Sequence, residues 1–161
     1  MVAEFIRPDV VSFPATARDR AAGDGLLPLD EQIGFRLRRA HQQACSVFLS
    51  HFRETGLSPA QFATLVRIRD CGRVSQNELG RLVSMDPSSI MGVVNRLVNQ
   101  NYVRRQADHR DRRRVMVTIT SDGLKLLEAC EYLSSDVDRE ILQNITPEER
   151  RIFYDILDRI G

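Results

Sequence analysis

Between Arg96 and Arg114 the sequence places seven arginines and only two aspartates, a local charge of +5 in a chain whose net charge is +1. Guanidinium groups at that density suit phosphate oxygens, which they meet with paired donors and a permanent charge. Residues 1–95 carry +1 and residues 115–161 carry −5, so near-neutrality hides a dipole. Nucleic acid is the first partner this distribution suggests, with a solvated run of surface charge as the alternative. Competing chemistry is thin. His41 and His51 are ten residues apart on one predicted helix, about 15 Å along its axis and too far to share a metal. Cys45, Cys71 and Cys130 are odd in number and lack CxxC spacing, which argues against a disulfide framework and a zinc knuckle. Each reads most simply as a small buried apolar residue. There is no Gly-rich phosphate loop, no GxSxG and no cysteine with a catalytic partner, so neither an enzyme nor a cofactor is expected.

The elements that would carry the arginines are punctuated in the sequence. Residues 1–28 show no sustained period and contain Pro8, Pro14 and Pro28; they read as an arm outside the folded part, residues 29–161. From Leu29, apolar residues at three- or four-residue intervals (Ile33, Leu37, Ala40, Ala44, Val47, Phe48, Phe52) mark a long amphipathic helix stopping near Gly56. Ser58-Pro59 opens a second helix that Gly72 ends. Ser75-Gln76-Asn77-Glu78 is a capping box for a short helix, and Asp86-Pro87 starts another with Ile90, Val93, Val94 and Leu97 on one side. Two short helices joined through Ser84-Met85 make a helix-turn-helix. Tyr102 to Arg105 and Val115 to Thr120 flank the arginine-dense tip as a β-hairpin, with Val115, Val117 and Ile119 alternating. Thr120-Ser121 caps a long helix, and Thr146-Pro147-Glu148-Glu149 opens the last, striped by Ile152, Phe153, Ile156, Leu157 and Ile160.

A helix-turn-helix followed by a basic hairpin is a winged helix. The run Asp108-His109-Arg110-Asp111-Arg112-Arg113-Arg114-Val115-Met116-Val117-Thr118-Ile119-Thr120, with Gly123 just beyond, resembles the wing of MarR-family transcriptional regulators. Both Asp108-x-Arg110 and Asp111-x-Arg113 match that family's Asp-x-Arg signature. The resemblance extends back through Ser75 and fits the helix order from about Leu29 onward. It implies a mainly α fold with a small β-wing: a winged-helix DNA-binding part at 58–120 and a helical dimerisation region at 29–56 and 121–161. It also implies a homodimer that represses transcription on a pseudo-palindromic double-stranded operator and releases it when a small molecule binds. Two departures bear on DNA reading. Met91-Gly92 stands where the family often has Ser or Thr followed by Arg, and Asn95 where it has an acidic residue.

From the residues themselves, an inward Ile90, Val93, Val94 and Leu97 turns Ser88, Ser89, Met91, Gly92 and Asn95 toward the major groove. Asn95 could pair with adenine, Met91 could touch a thymine methyl, and Gly92 permits close backbone approach. Arg96 is placed to anchor a phosphate, and Arg110, Arg112 and Arg113 at the wing tip suit a narrow minor groove. Ser75 and Gln76 complete the candidate DNA-binding set.

On the sensing side, Arg36, Arg38 and Arg39, with His41, cluster on the first helix as candidates to hold an anionic effector, and the family resemblance implies an aromatic carboxylate or its coenzyme A thioester. The alternative is that they are solvated or paired with acids such as Glu31. Cys45, one turn after His41, offers a redox-sensing mechanism instead. A winged-helix protein-interaction module without DNA binding is a further alternative. With no export signal at the start and no apolar run near the roughly 20 residues that cross a bilayer, no membrane partner is expected and the cytoplasm is the expected location.

Overall fold

The computed structural model describes residues 27–108, 111 and 114–160. Its elements run α1 (Ile33–His51), α2 (Pro59–Cys71), β1 (Arg73–Ser75), α3 (Gln76–Leu82), α4 (Pro87–Asn99), β2 (Val103–Ala107), β3 (Val115–Ile119), α5 (Ser121–Ile141) and α6 (Pro147–Ile160), with 3-10 turns at Leu29–Glu31 and Arg53–Thr55. The expected arm, residues 1–28, lies almost wholly outside the described residues. No helix of the described residues is long and apolar enough to cross a membrane.

The chain divides into two compact units between Ala40 and His41. In the first, the Leu29–Glu31 turn is tied to the start of α1: Gln32 Nε2 donates to the Leu27 carbonyl at 2.8 Å and Arg36 Nε to the Asp30 carbonyl at 2.8 Å.

In the second unit the helix ends are built as their sequences dictate. Ser58 Oγ accepts from the Gln61 amide at 3.3 Å while Gln61 Oε1 accepts from the Ser58 amide at 3.0 Å, a complete capping box around Pro59. Thr146 and Glu149 exchange the same pair of bonds at 3.3 and 2.9 Å. The hydrogen bonds hold the Glu149 carboxyl below its usual pKa. Thr120 caps α5 through the Gly123 amide. The first long helix ends at His51, and the chain continues through the Arg53–Thr55 turn to Gly56 at φ 66°. Asn101 takes the left-handed conformation at φ 61° that the α4–β2 turn requires.

The core gathers around stacked Phe48 and Phe52 rings, 3.9 Å apart, with Phe62 edge-on to Phe52 at 4.9 Å. Leu65, Ile68, Leu79, Val74, Val103 and Val117 close around the buried α4 face, Ile90, Val93, Val94 and Leu97. His51 Nε2 lies 2.7 Å from Glu140 Oε2, linking α1 to α5.

Three expectations need correction. A third strand, β1, pairs antiparallel with β3, giving the order β1-β3-β2. Its three residues show no period that a sequence window could detect. The hairpin's alternation also breaks: Val115 is 42% exposed whereas Met116 is 8% exposed. Val115 pairs with Ala107 beyond the end of β1, while Met116 sits mid-sheet between Ser75 and Gln106. Of the cysteines only Cys130 is buried; Cys45 is half-buried and Cys71 exposed, because Cys71 closes α2 beside the exposed Gly72.

Candidate nucleic-acid interface

The outward face of α4 is held in place from both ends. At its start the Asp86 carboxylate accepts from the Ser88 and Ser89 amides at 2.9 and 3.0 Å and from both serine hydroxyls. The hydroxyl bonds lead the amide bonds in holding the Asp86 carboxyl far below its usual pKa, so it is ionised across the physiological range. Ser88 and Ser89 thus use their protons internally and turn oxygen lone pairs outward. At its end α4 is fixed by its apolar side against the sheet.

Between those ends the candidate residues fall into two stripes at four-residue spacing. Ser88, Gly92 and Arg96, with Ser89, border an open groove completed by Ala60, Met85 and Val93. Met91 and Asn95 form the second stripe; Met91 is 49% exposed, an accessible apolar group suited to a thymine methyl. An ideal Cβ on Gly92 would meet no atom within 4 Å, so packing within the chain does not require glycine there.

The second stripe leads to a residue absent from the sequence-derived set. Arg105, on β2, donates through one terminal nitrogen to Asn95 Oδ1 at 2.6 Å and through the other to Gln76 Oε1 at 3.1 Å. Its Nε is buried with no hydrogen-bond partner among the described residues. A signal existed: Val103 is buried, and period 2 puts Arg105 on its side of the strand, whereas Arg104 turns away and donates to Thr118 Oγ1 at 3.2 Å. The asparagine oxygen expected to meet adenine is therefore engaged by a cation.

Beside Gln76 a cavity of about 420 Å³ is lined by Ser75, Gln76, Asn77, Arg81, Arg114 and Val115. Arg81 and Arg114 are further cations here that sequence reasoning did not assign. The wing closes with Asp108 N donating to Arg114 O at 3.0 Å and Arg114 N to Asp111 O at 2.9 Å. Arg110, Arg112 and Arg113 lie outside the described residues.

Away from this surface, Arg39 pairs with Asp30 at 3.5 Å rather than with Glu31. Arg38 and Arg39 each stand 6.0 Å from the Phe35 ring centroid. Cys45 Sγ is 3.5 Å from His41 Nε2. A cleft of about 420 Å³ opens between α2 and α5, with Phe62, Val66, Leu124 and Leu127 as apolar walls and Arg69, Glu128, Glu131 and Asp138 among its polar groups. Arg69 Nε and Nη2 both donate to Asp70 Oδ1, at 3.0 and 2.9 Å. Sequence periodicity gave no sign of this cleft, which depends on how two distant helices meet. Among the described residues no cluster of three His, Cys, Asp or Glu side chains could hold a metal ion.

The MarR family profile matches residues 57–115, from the approach to α2 to the first residue of β3. The HTH-type transcriptional repressor NicR of Pseudomonas putida is 38% identical over 120 residues, covering 74% of this chain and 76% of NicR. BpsR of Bordetella bronchiseptica, in a structure concerned with regulation of its DNA binding by 6-hydroxynicotinic acid, matches with a TM-score of 0.80 at 29% identity, over 84% of this chain and 97% of that one. A mutant Escherichia coli MarR complexed with operator DNA matches with a TM-score of 0.76 at 25% identity, over 80% and 92%.

Proposed function

This chain belongs to the MarR family of transcriptional regulators, and from that premise we propose that it is a homodimeric repressor released from a pseudo-palindromic operator by a small anionic aromatic compound. The observation that carries the DNA-binding part is the outward face of α4, with Ser88, Ser89, Met91, Asn95 and Arg96 all exposed beside the hairpin. The wing arginines Arg110, Arg112 and Arg113 add minor-groove charge in this reading. Fluorescence anisotropy with duplexes from the chain's own upstream region tests it. Loss of binding to every duplex at moderate salt would instead favour a winged-helix protein-interaction module.

The second copy answers the apolar side chains of α6. Ile152, Phe153, Tyr154, Ile156, Leu157 and Ile160 are 37–62% exposed on one helix, more apolar surface than a lone chain leaves in water. Dimerisation also sets two recognition helices about one DNA turn apart. Sedimentation at several concentrations tests the dimer; a monomer throughout would refute it.

The effector class proposed is supported by the likeness to BpsR, whose DNA binding is regulated by 6-hydroxynicotinic acid, a single-ring aromatic carboxylate. The α2–α5 cleft, at about 420 Å³, falls in the size range of small-molecule sites, and suits a free ring acid better than the much bulkier coenzyme A thioester. Phe62 and Val66 would cover the ring, and Arg69, among the described residues the one cation facing Glu128, Glu131 and Asp138 in that lining, would have to exchange Asp70 for the ligand carboxylate. The Arg36, Arg38 and Arg39 cluster is the second anion site to consider, on the strength of its cations over Phe35.

Release requires the ligand to bind the DNA-incompetent state more tightly, so operator must weaken ligand binding by the factor that ligand weakens operator binding. Raising the required ligand concentration by Arg69→Ala, and not by the Arg36→Ala, Arg38→Ala pair, would assign the cleft; the reverse would assign α1. Release by peroxide, abolished by Cys45→Ser, would favour the redox reading that the Cys45–His41 contact permits.

A further inference from the structure

Arginine has donors and no acceptor, so any group it hydrogen-bonds must accept, and a side-chain amide accepts only through its oxygen. Arg105 touches two side-chain amides, Asn95 on α4 and Gln76 on α3, and that chemistry orients both. Each amide turns its oxygen to the guanidinium, and each NH2 group points elsewhere. Neither Asn95 Nδ2 nor Gln76 Nε2 has a hydrogen-bond partner among the described residues. Asn95 is exposed and Gln76 half-buried, so at least the Asn95 amide faces water directly. Arg105 forms no ion pair among the described residues, and its partners are neutral. The charge therefore stays in place behind the two amides, and Arg81 and Arg114 stand beside Gln76 in the same cavity lining.

We propose that Arg105 is a positioning residue that fixes Asn95 and Gln76 as an all-donor patch directed at hydrogen-bond acceptors of the operator. It rests on the DNA-binding reading above and deepens it. An asparagine reading adenine must accept from the adenine N6 amino group and donate to N7 at once. Here one of the two lone pairs of the Asn95 oxygen is taken by Arg105, which turns that oxygen toward the guanidinium, and the nitrogen is the end left without a partner among the described residues. The acceptors that fit a donor-only patch are guanine N7 and O6 or phosphate oxygens. A carboxylate at position 95 would pair with Arg105 directly, neutralising it and presenting acceptors to the DNA. The amide is thus what keeps the patch positive.

Substitution and binding measurements separate this role from a merely structural one. In anisotropy titrations across a salt series, the parent protein must first bind its operator; a parent that binds no duplex refutes the DNA-binding reading itself. Asn95→Asp replaces a neutral bond by an ion pair, so its melting temperature should equal or exceed the parent's while operator affinity falls at least tenfold. Arg105→Lys keeps the charge but lacks the fork that spans two oxygens, and should lose at least fivefold. Asn95→Asp binding within twofold of the parent, or Arg105→Lys binding as tightly as the parent, would overturn the proposal.

The same titrations identify the acceptor. Guanine contact predicts that replacing one operator guanine by 7-deazaguanine weakens the parent and leaves Asn95→Asp unaffected. Phosphate contact predicts that Asn95→Asp weakens operator and scrambled duplex alike and lowers the salt slope by about 1.

Discussion

Replacing Gly92 by alanine should move stability and DNA binding in opposite directions. Gly92 lies inside α4, and a Cβ there meets nothing within 4 Å. Glycine in a helix interior costs roughly 0.5–1 kcal/mol relative to alanine, because it loses more backbone freedom on folding. With no clash to offset that gain, Gly92→Ala should stabilise the fold by about 0.5–1 kcal/mol, raising its melting temperature by about 1–4 °C for a chain of this size. The new methyl group would project on the open groove side shared with Ser88 and Arg96, where the helix backbone is expected to approach the DNA. A tenfold loss of operator affinity, about 1.4 kcal/mol, is the smallest effect consistent with close approach. Thermal melts and anisotropy titrations on the same preparations measure both quantities. A lowered melting temperature would refute the open environment, and unchanged affinity would refute the backbone-approach role.

Gly123 is the opposite case: a Cβ there would run into the Tyr102 carbonyl oxygen and lie 2.8 Å from Ile119 Cγ1. Gly123→Ala should therefore destabilise by about 1–3 kcal/mol or more, read from a denaturant midpoint. Phe52→Ala removes the fully buried centre of the aromatic stack and should cost about 3–5 kcal/mol by the same measurement. Asp86 has a folded pKa below its unfolded reference of 3.8, so its cap stabilises the protein above that pH and is lost as pH falls toward the folded value. The melting-temperature gap between parent and Asp86→Asn should stay constant from about pH 8 to pH 5 and shrink below about pH 4; a gap that widens on acidification would refute the sign. Burial raises the Cys130 thiol pKa, so an aqueous thiol reagent should label exposed Cys71 first and Cys130 only on unfolding.

What the sequence by itself determined was local. Helix starts at Ser58, Asp86, Thr120 and Thr146 were legible because a cap and its amide lie two or three residues apart, within one stretch of chain. The buried side of α4 was legible because its apolar residues recur at the helical period, and every one of Ile90, Val93, Val94 and Leu97 is in the core. The arginine-dense hairpin was legible as composition, and with the helix order it carried the family resemblance.

Tertiary structure decided what depends on residues far apart in the chain. β1 exists only because β3, some forty residues later, supplies its partner, and three residues cannot signal a strand without one. The α2–α5 cleft needs two helices more than fifty residues apart to meet at a particular angle. Arg105 reaches Asn95 across ten residues and Gln76 across twenty-nine, so the direction in which those amides point could not be read from their own neighbours. The exposed face of α4 follows from helical period, but which way the Asn95 amide turns on that face is set by a side chain on another element. Donor and acceptor roles pass through space, and no periodicity in one segment records them.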